Sequence, residues 1–179
     1  MSESDLELLP IQFDPQMFAD QHTDLHGLVA TDTMQRLQSN IVSSEPMVTT
    51  KLRFSKGLFG YPLAMGEAHA KVTMRCERCL DNVVFDLDPH IEVLIKPAEE
   101  HLPNGTNSLE ENPDFHEYEG NLLSLSELIE EELLLAMPLV PKHEDISLCN
   151  QDMVAWLASN EGPEADAKRA ENPFAILKR

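Results

Sequence analysis

The chain has 179 residues, 42% of them hydrophobic and 25% charged, which suits one soluble domain or one domain with tails. Its 13 Lys and Arg stand against 32 Asp and Glu, a net charge of −19, so polyphosphate repels it at long range. A general nucleic-acid binder is disfavoured, and basic partners are favoured.

Other classes fall away on local grounds. No apolar run approaches the ~20 residues that span a bilayer. The segment from Met1 to Pro10 holds three acids and no Lys or Arg, so it reads as neither signal nor transit peptide. Three cysteines, two of them three positions apart, make no disulfide framework, and reduced thiols in the cytoplasm are expected. The Walker, dinucleotide-glycine, His-Glu-x-x-His and Gly-x-Ser-x-Gly patterns are absent.

In chain order, Leu8 to Phe13 reads as extended, followed by a short segment after Pro15. Thr23 to Ala30 suits a strand, and Thr31 or Asp32 would cap a short helix reaching about Asn40. From Val48 to Ser55 the even positions are mostly apolar and the odd ones polar, the period-2 signature of a half-buried strand. Lys56 to Gly60 forms a turn, Pro62 to Arg75 a second strand, and Val83 to Ile95 a third. Val83, Phe85, Leu87, Ile91, Val93 and Ile95 share one face of that third strand. Three long strands with short connections predict an antiparallel meander.

Periodicity stops between Pro97 and Gly120, which reads as a long acidic loop (97–120). Ser124-Leu125-Ser126-Glu127 matches a capping box. Leu125, Leu128, Ile129, Leu133 and Ala136 then follow at helical spacing to Pro138, with Glu127, Glu130 and Glu131 mostly off the stripe. Asp152 to Leu157 suits a short helix. Residues 161–179 form a polar linker and an apolar tip carrying Pro173, Phe174, Ile176 and Leu177. The expected fold is α+β, a single domain over 1–160. It is a twisted antiparallel β-meander, open or partly closed, with one main helix packed on a face.

Four groups of residues could carry chemistry. Cys76 and Cys79 at a turn between strands form half of a zinc knuckle, since two intervening residues let both thiolates reach one tetrahedral ion. His143 and Cys149 would complete a Cys3His set. The alternatives are plain reduced thiols or a redox pair, although redox pairs favour helix N-termini. Lys51, Arg53, Lys71, Arg75 and Arg78 make a locally basic stretch that would touch RNA phosphates, or else face the acids of neighbouring strands. Between Pro97 and Pro141 eleven acids, with Glu127, Glu130 and Glu131 among them, meet no Lys or Arg; such a block attracts a basic partner or simply solvates. Pro173 and Phe174 lead a tip that docks on a partner or folds back on its own domain. No nucleophile–base–orienter set is visible, so no enzyme activity is expected.

Several of these segments together resemble one family. They are Cys76-Glu77-Arg78-Cys79, the Glu127–Pro138 helix, Val140-Pro141-Lys142-His143, Cys149 and Asn172-Pro173-Phe174-Ala175-Ile176-Leu177. The order and spacing are similar to the YceD family, named for accumulation of large-subunit ribosomal RNA, from about residue 5 to the end. The resemblance implies a non-enzymatic bacterial or plastid factor supporting synthesis, processing or stability of 23S ribosomal RNA. Its partner would be the large-subunit RNA precursor or a basic ribosomal protein, and its cofactor none or zinc. The alternatives carried with it are a zinc-binding RNA-processing protein and an acidic chaperone of a basic ribosomal protein.

Overall fold

The computed structural model describes residues 6–99 and 115–160. The acidic loop of 97–120 lies largely outside the described residues, and the apolar tip with Pro173 and Phe174 lies wholly outside them. The chain divides into two compact units: Met1–Met74 with Val84–Leu139, and Arg75–Val83 with Val140–Arg179.

The first unit begins with strand β1 (Gln12–Phe13) and helix α1 (Pro15–Asp20). Asp14 caps α1, its Oδ1 accepting from the Gln16 and Met17 amides at 2.9 and 3.1 Å, while Pro15 supplies a preset first turn. Strand β2 (Asp24–Ala30) is followed by a 3₁₀ turn and helix α2 (Gln35–Asn40). Neither Thr31 nor Asp32 caps α2. Met34 occupies the cap position without a side-chain bond, and the Thr31 hydroxyl donates to the Glu45 carbonyl instead.

Strands β3 (Ser43–Ser44), β4 (Met47–Lys56) and β5 (Pro62–Arg75) come next. The third predicted strand is split by Asp88-Pro89 into β6 (Asn82–Leu87) and β7 (His90–Pro97). Proline offers no amide to a ladder, so it interrupts the run. Strand β8 (Phe115–Tyr118), strand β9 (Leu123–Ser124) and helix α3 (Leu125–Ala136) complete the unit.

The architecture is α+β. The main sheet runs β2-β4-β5-β7-β8, with β3 and β6 also paired to β5, and β1 pairs β9 in a second small sheet. The β2–β4, β4–β5 and β5–β7 ladders are antiparallel, as expected. The β7–β8 pair is parallel, so the sheet is mixed and not a simple meander. The order never returns to β2, which makes the sheet open.

Val48, Thr50, Leu52 and Phe54 of β4 are buried, as are Ile91, Val93 and Ile95 of β7 and Leu125, Leu128, Ile129 and Leu133 of α3. Apart from Thr50, these residues belong to one apolar cluster, reinforced by stacked and edge contacts among Phe13, Phe18 and Phe54 at 4.8–5.4 Å. Ser124 caps α3, accepting from the Glu127 amide at 3.4 Å, but Ala136 lies exposed rather than in the stripe. Glycine is required at position 66, where a Cβ would stand 1.9 Å from the Lys51 carbonyl oxygen.

Candidate metal centre

The second unit is built around sulfur. Cys76 leaves β5 and enters a tight turn in which the Leu80 amide donates to the Cys76 carbonyl and the Cys76 amide to the Asp81 carbonyl, both at 2.8 Å. The turn holds Leu80 at φ 64°, in the left-handed region that a branched side chain rarely adopts. The returning segment is tied to it by the Glu77 amide, which donates to the Pro141 carbonyl at 2.8 Å. A 3₁₀ turn at Ile146–Leu148, capped by Asp145 through the Ser147 amide at 2.8 Å, then delivers Cys149. Helix α4 (Gln151–Asn160) follows directly, its start capped by Asn150.

Cys76, Cys79 and Cys149 are reduced and buried, with Val83, Met153 and Val154 packed around them. Their sulfurs and the His143 ring nitrogen lie within 4.8 Å of one another. The finer geometry is metric. An ion ~2.3 Å from sulfur and ~2.05 Å from nitrogen at a tetrahedral angle sets sulfur and nitrogen ~3.6 Å apart. His143 Nδ1 is 3.5 Å from Cys79 Sγ and 3.6 Å from Cys149 Sγ. Three thiols and one imidazole at these separations fit a four-coordinate soft or borderline ion.

At Cys76 the surroundings favour the thiolate that such an ion needs. Burial alone pushes the Cys76 thiol up. Hydrogen bonding from the His143, Cys79 and Arg78 backbone and the His143 ring outweighs that and brings it down to about 6. Burial pushes the Cys149 thiol up, and Arg78 opposes this by donating from Nη1 to Cys149 Sγ at 3.6 Å. A redox role needs an accessible sulfur, whereas Cys76 is fully buried and Cys79 only 2% exposed.

The basic residues fare differently. Arg53 is paired with Asp24 at 2.7 Å and Lys71 with Asp86 at 3.5 Å, both across strands. Lys51 is exposed, in register with His26 on β2 and Glu67 on β5. Arg75 is exposed at the end of β5, and Arg78 is turned to the sulfur cluster.

Among the acids, Glu127 is exposed in the first turn of α3, and Glu131 pairs with His116 Nδ1 at 2.7 Å. Glu130 departs from the expectation of a partner-facing residue. It is 4% exposed, accepting from the Leu37 amide at 2.9 Å and from Arg36 Nε at 3.1 Å. The carboxylate caps α2 from another helix, a role no local sequence signal marks.

Converging donors of this kind, drawn from two separate stretches, define a small α+β protein with a Cys3His cluster that could hold a metal ion. The family model described as large ribosomal RNA subunit accumulation protein YceD matches residues 64–179, so the chain belongs to the YceD family. A relative, the large ribosomal RNA subunit accumulation protein YceD of Haemophilus influenzae (strain Rd), is 28% identical over 172 residues, covering 94% of each chain. No solved structure matches the chain significantly.

Proposed function

We propose that this protein supports accumulation of large-subunit ribosomal RNA in the cytoplasm as a non-catalytic factor that holds a basic ribosomal protein during assembly. The family and the name of the relative supply the process. The observation that carries the mechanism is the fate of the cations. With 13 Lys and Arg against 32 acids, the chain carries an excess of 32 − 13, or 19, acids over Lys and Arg. Two of the residues best placed to touch RNA, Arg53 and Lys71, are already paired with Asp24 and Asp86. Surplus acid and occupied base favour a basic protein over phosphate. No helix among the described residues is long and apolar enough to cross a membrane.

Cys76, Cys79, His143 and Cys149 hold one structural zinc in this reading. Four protein donors leave no open position, so zinc bound there would cross-link the chain rather than activate water. Arg78 offsets the surplus negative charge of a three-thiolate site.

Affinity capture at low salt, with and without RNase, tests the partner class. Recovery of one basic ribosomal protein unaffected by RNase is expected. Recovery of precursor RNA alone would overturn the mechanism and move attention to Lys51 and Arg75. Metal analysis of the purified protein should give about one zinc per chain, lost in Cys149→Ser. A metal-free, fully folded wild type would remove the zinc assignment.

A further inference from the structure

A second surface of the first unit has the shape and charge of a docking site. A cleft of about 610 Å³ opens where β7, β8, α3 and the β4–β5 hairpin tip come together. Phe115 contributes to an apolar wall, and Leu58 and Leu135 stand at the cleft 58% and 76% exposed. Side chains this large and this exposed lose apolar surface to water that a partner would cover. Leu58 is presented by a strained turn, for its neighbour Phe59 sits at φ 56° and is itself 54% exposed. The His116–Glu131 pair ties β8 to α3, with the imidazole 9% exposed, so this wall is held by the fold.

The carboxylates outnumber the other polar groups of the lining. Glu92, Glu131 and Glu132 line the cleft beside His90 and His116, the latter paired with Glu131, and no Lys or Arg does so among the described residues. That sign decides between occupants. Phosphate would meet carboxylates at close range, and a second copy of a chain carrying −19 would bring more of the same charge. A segment with aliphatic anchors flanked by Lys or Arg matches both the apolar wall and the net acidic sign of the lining.

We infer that this cleft docks a basic amphipathic segment of the protein partner. The inference rests on the partner class proposed above and assigns it a site.

Short synthetic peptides with the full-length protein test it by fluorescence anisotropy. The probes are a Leu/Lys amphipathic peptide, a Leu/Glu analogue and a Ser/Lys analogue. The Leu/Lys peptide should bind best, and Leu135→Lys should weaken it roughly tenfold or more, as expected for losing an apolar anchor. The double variant Glu92→Lys/Glu132→Lys should lose the Leu/Lys peptide and gain the Leu/Glu one. That gain cannot arise from unfolding. Equal binding of the Leu/Lys and Ser/Lys peptides, unmoved by all three substitutions, would show attraction by net charge alone and overturn the site.

A deletion strain separates this failure from failure of the broader reading. If wild type restores large-subunit RNA and Leu135→Lys does so equally, the cleft falls and the biogenesis role stands. If wild type itself changes nothing, the biogenesis role falls whatever the peptides do.

Discussion

Glu130 accepts hydrogen bonds from consecutive residues of another helix, the Leu37 amide and the Arg36 guanidinium, while almost wholly out of water. Removing it strands a buried amide at the start of α2. Glu130→Ala should therefore cost about 2–4 kcal/mol in urea unfolding. Arg36→Ala should cost under about 1 kcal/mol, because the Arg36 side chain is 55% exposed and screened. Thr50 points the other way. Its hydroxyl is buried on the inner face of β4 with no hydrogen-bond partner among the described residues. Thr50→Val keeps the shape and removes the unpaired group, so stability should rise by roughly 1 kcal/mol, read as a higher urea midpoint at unchanged slope.

At the level of elements, strain and pattern are both visible. The Cys76–Asp81 turn forces Leu80 to φ 64° although its side chain is 53% exposed and contributes little burial. Leu80→Gly should relieve the backbone and raise the thermal midpoint, by up to about 1 kcal/mol of stability. An unchanged or lower midpoint would show that the Leu80 side chain contributes more than its exposure implies.

Much of this layer was legible in the sequence. The alternation of Val48, Thr50, Leu52 and Phe54 could only be a strand with one face buried, and the bounds of β5 followed from Pro62 and the Cys76 turn. The helical spacing after Ser124 marked α3. Strand β8 was not legible, because four residues beyond an acidic stretch carry no usable period and parallel pairing leaves no turn signature. Glu130 was misplaced because a helical stripe is drawn through its apolar members, and a long-range cap has no local spacing. Of the candidate site, the Cys-x-x-Cys spacing and the scarcity of other cysteines selected the four donors that converge. That Arg78 turns to sulfur was hidden, since its charge alone read as part of a basic stretch.

At the scale of the whole molecule, the two units are stabilised by different means. The first has a broad apolar cluster, whereas the buried cluster of the second consists of Cys76, Cys79 and Cys149. On the zinc reading proposed above, a module with so little apolar burial among its described residues would draw its folding energy from the bound ion. A zinc chelator should therefore melt the second unit and spare the first. Trp156, the one tryptophan of the chain, lies on α4 of the second unit and reports on it directly. Its emission should change on chelation while the main unfolding transition persists. A single transition lost as a whole would mean that the first unit also depends on the metal.

The spacing of the four donors also sets an order of events as the chain is made. Cys76 and Cys79 emerge early, and Cys149 follows Cys76 by 149 − 76, or 73, residues. A ribosome that has translated the strands of the main sheet has thus made only half of the ligand set. The first pair must wait, reduced and uncommitted, through the synthesis of β7, β8 and α3. Bringing ends so far apart together costs loop entropy that a bound ion would repay only once His143 and Cys149 are both present. Completion of the centre consequently marks a chain synthesised through Cys149, whereas a chain truncated before it would carry a folded sheet and two exposed thiols.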